Sequence, residues 1–249
     1  MSTNPNYHNW NQMQTETTSV DSGAVASKTF MTQVFGWMSG ALMVTALTSW
    51  LFGNVPELFE MLFRREGNYL VHTTLGWIVM FSPFAFILII GMGMNRLPFP
   101  ALVLAFLTFS AVMGASLGYI FFIYDIGSIL ATFIVSAGMF GTMAVMGFIT
   151  KADLSGFGRI MMMGVMGIAL AFIVNFFLRS EMMDYVISMI GVAVFTGLTA
   201  YDVQKLKKLG ATMGDSTAAA KLSIAGALTL YLDFINIFLF LLRLMGNKK

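Results

Sequence analysis

Cysteine is absent from this chain, and charge is scarce. Without cysteine there is no disulfide framework, no thiol nucleophile and no cysteine metal site. Only 10% of the residues are Asp, Glu, Lys or Arg, against 57% hydrophobic. So few charges do not cover the surface of a soluble globule of 249 residues. Histidine occurs twice, at His8 and His72. A formal net charge of +2 gives no general pull on nucleic acid. What is abundant is apolar: mean hydropathy is +0.79. The class is a polytopic membrane protein. The 22 methionines read as packing or lipid-facing side chains.

Catalytic patterns are also missing. There is no HExxH, no phosphate-cradling glycine loop and no EF-hand loop. Gly114-Ala115-Ser116-Leu117-Gly118 matches G-x-S-x-G. That elbow needs a strand–turn–helix context, and here it lies inside an apolar helical run. A serine nucleophile also needs a base within reach. Both histidines lie outside the apolar segments, and no lysine lies mid-segment. Ser116 therefore reads as a packing residue. No enzyme activity and no cofactor are expected.

Residues 1–27 are polar, rich in Asn, Thr, Ser and Gln, and read as a disordered tail. They lack the basic and apolar regions of a signal peptide. Residues 28–249 read as one transmembrane domain. A spanning helix needs about 20 apolar residues. Seven segments qualify: Phe30–Phe52, Thr74–Met94, Ala101–Tyr124, Ile126–Thr150, Gly158–Leu178, Tyr185–Val203 and Leu222–Leu244. Asn54-Val55-Pro56 ends the first, and Asn95 to Pro100 ends the second. Asp125, Lys151–Asp153, Arg179–Asp184 and Gly210–Ser216 mark the later breaks. The fold class is all-α, a bundle of seven transmembrane helices in a lipid bilayer.

Lysine and arginine in the loops set the orientation. With a cytoplasmic N-terminus, the inner side carries Lys28, Arg96, Lys151, Arg159, Lys205, Lys207, Lys208 and Lys221. The opposite loops carry Arg64, Arg65 and Arg179. Arg243, Lys248 and Lys249 fall outside if the last segment spans, and inside if it dips in and returns. Helix contacts are expected where small residues recur four apart, at Gly36-xxx-Gly40, Ser110-xxx-Gly114-xxx-Gly118 and Gly167-xxx-Ala171. Pro83 is expected to kink the second segment.

Two carboxylates stand out. Asp233 lies near the middle of the last segment, and Asp202 near the end of the one before. A charged group at the centre of a membrane helix costs about 2.5–3.5 kcal/mol on insertion scales. Ser223, Gly226, Thr229, Asp233, Asn236, Phe240 and Arg243 recur three and four apart. That spacing puts them on one helical stripe, expected to face the bundle interior. Thr196, Thr199 and Asp202 make a similar stripe, and Asn175 adds a polar group from the fifth segment. Asp202 has a simpler reading too, as a helix-end partner of Lys205. Lys221 marks an interface about 18 Å from Asp233 along the helix, a depth that Asp202 does not match. Contact then requires tilt, a last helix that starts in the cytosol, or outward snorkelling of Lys205.

Gly197-Leu198-Thr199-Ala200-Tyr201-Asp202-Val203-Gln204-Lys205, followed by Leu230-Tyr231-Leu232-Asp233-Phe234-Ile235-Asn236-Ile237-Phe238, resembles the Bax inhibitor-1 family of transmembrane Bax-inhibitor-motif proteins. The resemblance covers residues 28–245 in topology and is specific in the last two segments. It implies a seven-helix bundle with the last helix central. It implies a pH-sensitive calcium leak, with Ca²⁺ and H⁺ as the ions handled. Two aspartates that share a proton gate the path in such proteins, and their positions match Asp202 and Asp233. The same pair would be the Ca²⁺ ligands. Thr199, Asn175, Thr229 and Asn236 are the candidate pore-lining polar groups. An arginine after the second helix latches the closed state in the family, and Arg96 takes that place. The flanking Leu97-Pro98 departs from the family's basic cluster. No acid lies within the second segment, so a conduction role for such a group does not transfer. A bacterial member in the inner (plasma) membrane is expected. A second reading makes the chain a membrane adaptor that binds another membrane protein, such as a quality-control protease, through its tail or helices. An H⁺-coupled transporter would need a substrate pocket, and no inverted repeat or pair of broken helices supports one.

Overall fold

The computed structural model describes residues 6–66, 69–94, 96–213 and 216–249. Helix α1 runs Asn6–Asn54, and the short α2 Pro56–Leu62 follows. Strands β1 Phe63–Glu66 and β2 Tyr69–His72 pair antiparallel, Phe63 opposite His72 and Glu66 opposite Tyr69. Then come α3 Thr74–Gly93, α4 Phe99–Leu117, α5 Ile120–Ile123 and α6 Ile126–Ile149. Helices α7 Ser155–Leu178, α8 Glu181–Met213 and α9 Thr217–Met245 complete the chain. Among the described residues, seven stretches are long and apolar enough to cross a membrane: α1 from Val25, α3, α4 with α5, α6, α7, α8 and α9.

Two expectations change here. From residue 6 on, the stretch read as a disordered tail carries helical backbone continuous with the first span. Helix propagation adds one hydrogen bond per residue fixed, so an apolar helix extends readily into adjoining chain. Residues 1–5 of that tail lie outside the described residues. The sixth span also does not stop at Val203. Helix α8 continues to Met213, through Lys205, Lys207 and Lys208, so this segment is helical well past its apolar part.

Local signals explain the remaining ends. Thr73 caps α3, its hydroxyl accepting from Gly76 N at 3.0 Å, and Ser216 caps α9, accepting from Ala219 N at 3.2 Å. Pro83 lacks an N–H, so the Val79 carbonyl loses its helical donor. The Ser82 hydroxyl supplies one at 2.9 Å. Serine beside proline thus keeps that carbonyl satisfied inside the membrane.

Helix α9 is the centre of the bundle. It packs on α8, α1, α6 and α4, and Ile224, Ala227, Leu230, Tyr231 and Ile237 are wholly buried. Helix α7 sits at the edge and packs chiefly on α8. The α1–α4 contact uses Gly114, where a Cβ would run into the Thr45 backbone and the Thr48 side chain. Of the expected close approaches, Gly36, Gly40 and Gly167 face open space instead.

The last helix is long and apolar enough to span, and its end does not turn back. Asp125 N donates to Asn247 O at 3.1 Å, Lys249 N to Ile123 O at 2.9 Å, and Asn247 N to Ser128 Oγ at 3.0 Å. The chain end is therefore tied to the α5–α6 turn and does not fold back. Arg243, Lys248 and Lys249 join Arg64, Arg65 and Arg179 at that end, while the other eight basic residues lie toward the opposite one.

Candidate functional site

The Asp202 and Asp233 carboxyl groups meet, within hydrogen-bonding reach of each other. They are 7% and 4% exposed. The depth mismatch shrinks because both helices run past their apolar segments. Helix α8 ends at Met213 and α9 begins at Thr217, so the two form a hairpin beyond the α6–α7 loop. Asp233 sits a little over four turns into α9 and Asp202 three turns before the end of α8, so the offset between them narrows to about one turn. The start of α1 braces this hairpin. Ser27 Oγ donates to Lys207 O at 2.9 Å, and Phe30 packs on Gly210.

A hydrogen bond between two carboxyl groups needs one proton to donate it. Asp233 Oδ2 has no hydrogen-bond partner. Apolar contacts flank the position: Phe234 packs edge-on against Phe133 and Phe140 of α6, and Tyr231 against Phe106 and Phe109 of α4. Lys205 is the cation whose field reaches Asp202. It makes no ion pair there; its ammonium lies 5.9 Å over the Tyr201 ring. Asp202 is thus a partner of Asp233 rather than a helix-end partner of Lys205.

The other expected site residues scatter. Thr199 is fully buried and donates to Phe195 O at 2.9 Å. Asn236 is half-buried and donates to Leu232 O at 2.8 Å. Thr229 is exposed and bonds back to Ala225 O at 3.1 Å. Ser223, Gly226, Asp233 and Phe240 of the stripe are buried as expected, but α9 is covered on most sides, so Leu228, Ile235 and Leu242, which the stripe excluded, are buried as well. Thr229 and Arg243 lie instead along its uncovered line. Asn175 stands at the far end of the bundle, where it builds the α7–α8 turn. Arg96 is exposed in the α3–α4 turn, and its guanidinium meets neither aspartate. Among the described residues no group of three or more His, Asp or Glu side chains converges as a metal cage. Ser116 donates back into its own helix, to Met113 O at 2.7 Å, as a packing residue would.

Two features beside the pair were not read from sequence. Gln204 straps the α6–α7 loop to α8: its Oε1 accepts from Leu154 N at 2.9 Å and its Nε2 donates to Ala152 O at 2.7 Å. A long amide two residues from Asp202 in a largely apolar helix was the available signal. On the opposite side of α9, Tyr231 OH and Thr45 Oγ1 lie 2.7 Å apart, and Thr45 donates to Ser110 O at 2.9 Å. That chain ties α9, α1 and α4 together through the core. Replacing Gln204 by Leu leaves two loop backbone groups without partners, at about 1–3 kcal/mol each where buried. Amide hydrogen exchange at Ala152–Ser155 is expected to accelerate in Gln204→Leu; unchanged protection would show that the strap is dispensable.

The family model "Inhibitor of apoptosis-promoting Bax1" matches residues 27–249. The chain belongs to the Bax inhibitor-1 family. The match covers the helices that carry Asp202 and Asp233. This family member is 43% identical over 224 residues to "Inner membrane protein YbhL" of Escherichia coli strain K12, covering 89% of the chain and 93% of that relative. It is also 39% identical over 234 residues to an uncharacterised protein of Caulobacter vibrioides, covering 93% and 92%. A Rickettsia prowazekii relative is 36% identical over 220 residues, covering 88% and 90%. These three relatives are bacterial, and the protein is a multi-pass membrane protein.

Proposed function

We propose that this Bax inhibitor-1 family protein is a pH-sensitive calcium leak gated by the Asp202–Asp233 pair, with its N-terminus in the cytoplasm and no enzymatic role. One observation carries the reading: two buried carboxyl groups on consecutive spanning helices touch each other. Two carboxylates held together in a low-dielectric site do not both ionise cheaply, so they titrate as a unit and share a proton. With the shared proton the pair bonds α8 to α9. Without it, two negative charges repel one another and attract a cation. Calcium takes six to eight oxygen ligands, and two carboxylates supply only part of that shell. Such a partial site suits a passing ion, which must bind well enough to enter and weakly enough to leave. Protons and Ca²⁺ compete for the same oxygens, so acid opposes ion binding at the pair. Arg96 has no role in the arrangement seen; a latch would require the α3–α4 turn to move toward the pair.

Purified protein in liposomes holding a calcium dye tests the reading. Protein-dependent Ca²⁺ entry that varies between pH 5 and 8 is expected. Entry no faster than into empty liposomes at every pH would defeat it.

A further inference from the structure

At the end of the bundle away from the aspartates, Phe172, Asn175, Phe176 and Arg179 of α7 and its turn, Asp184 of α8 and Arg243 of α9 line a recess of about 450 Å³. Asn175 builds its wall. Its Oδ1 accepts from Ser180 N at 3.0 Å, and its Nδ2 donates to Ser180 O at 3.2 Å and to Asp184 Oδ1 at 2.7 Å. The carboxylate is therefore held by an amide, not by an arginine. Arg179 ends α7 in the left-handed conformation, at φ 52°. Arg243 lays its guanidinium over the Phe172 ring at 5.1 Å. Neither arginine forms an ion pair; among the described residues the one ion pair is Lys208–Asp153.

Each guanidinium carries five N–H donors in a planar fork, matched to the oxygens of phosphate. Two of them and one carboxylate line the recess, which leaves it with a net positive charge. Its position settles which phosphate suits it. Arg179 directly follows the last residue of a spanning helix, and Arg243 lies in the last turn of another. This is the depth of lipid headgroups. Below it, α7 exposes Ile173, Phe176 and Phe177 along a helix that packs chiefly on α8.

We propose that the recess binds the headgroup phosphate of an anionic phospholipid, gripped between Arg179 and Arg243, with the acyl chains lying along the outer face of α7. Both arginines contribute charge, and the stacking on Phe172 fixes the plane of one fork. The bound lipid ties the edge helix α7 to the central helix α9, which otherwise meet at this end mainly through Phe172 with Arg243 and Phe240.

The test is the melting temperature of the full-length protein in neutral detergent, with added phosphatidylglycerol, phosphatidylcholine or inorganic phosphate. Wild type, Arg243→Gln, Arg179→Gly and the double variant are compared. Glycine accepts the left-handed conformation at 179, so that variant removes the side chain without straining the turn. Phosphatidylglycerol is expected to raise the wild-type Tm by roughly 3–8 °C at saturation, as for a ligand bound to the folded state alone. Each single variant is expected to lose about half of that shift or more, so the reading does not hang on the double variant folding. An equal shift in wild type and variants would overturn the site. An equal shift with phosphatidylcholine would overturn its preference for net negative charge. A full shift with inorganic phosphate would make the occupant a free phosphate and overturn the lipid.

Discussion

Asp233→Asn is expected to flatten the dependence of Ca²⁺ flux on pH. In the wild type one shared proton joins α8 to α9, and its loss exposes two like charges. A switch that turns on one proton can change flux by up to about tenfold per pH unit, since one unit is worth 1.36 kcal/mol. Asparagine keeps the size of the side chain and can donate to Asp202 through its amide, but it has no proton to lose near neutrality. The α8–α9 bond then persists at every pH, and the ratio of flux at pH 8 to flux at pH 6 falls to near one. His72 supplies the control. It lies at the opposite end, between the rings of Phe63 and Trp77, and burial holds its imidazole below the ordinary histidine value. The unfolded chain then binds the proton more readily than the fold does. Stability from this group is present above the ordinary histidine range and is lost as pH falls through it. His72→Gln is therefore expected to soften acid destabilisation slightly and to leave the flux profile as in wild type. A flat profile in His72→Gln, with a wild-type profile in Asp233→Asn, would move the sensor to the β1–β2 end, where His72 lies.

Gly147→Leu is expected to have the largest effect on the fold. Helix α6 crosses α8 at this glycine, and any Cβ there would run into the backbone of Ala200. Backbone does not swing aside as a side chain does. Filling a packed contact typically costs about 1–3 kcal/mol and more where nothing can yield. For a chain of this size each kcal/mol shifts Tm by about 2–4 °C. A fall of roughly 10 °C, or failure of the protein to accumulate in the membrane, is expected. Ala200 lies two residues before Asp202, so a surviving variant should also show altered flux. Gly36→Leu, where a Cβ meets nothing within 4 Å, is the matched control and should melt within a few degrees of wild type. Equal losses in the two variants would contradict the packing described.

The spans were legible because lipid demands long apolar runs, and little else in the sequence imitates them. Asp202 and Asp233 were legible for the same reason: ionisable groups in such runs are conspicuous. Their contact was not, because helix length was read from hydrophobicity. The ends of α8 and α9 lie beyond the apolar part, where Lys205, Lys207 and Lys208 read as a loop but sit on a helix. The interior stripe on α9 was incomplete for a related reason. Periodicity locates a buried face only when another face is free, and α9 is enclosed on most sides. Small-residue spacing was informative at Gly114 and silent at Gly36 and Gly40, since spacing marks where helices are able to approach, not which ones do. The β-hairpin was missed although Glu66-Gly67-Asn68-Tyr69 carries a turn signal in the sequence between its strands.

The central claim is that the proton on the aspartate pair controls the ion path. Infrared difference spectra of the reconstituted protein, titrated from pH 5 to 8 beside Ca²⁺ flux in the same vesicles, test it most directly. The account predicts a protonated-carboxyl band that fades with rising pH, disappears in both Asp202→Asn and Asp233→Asn, and shares its midpoint with the change in flux. A carboxyl band that stays constant across the range while flux changes, or a midpoint unmoved by either substitution, would contradict it.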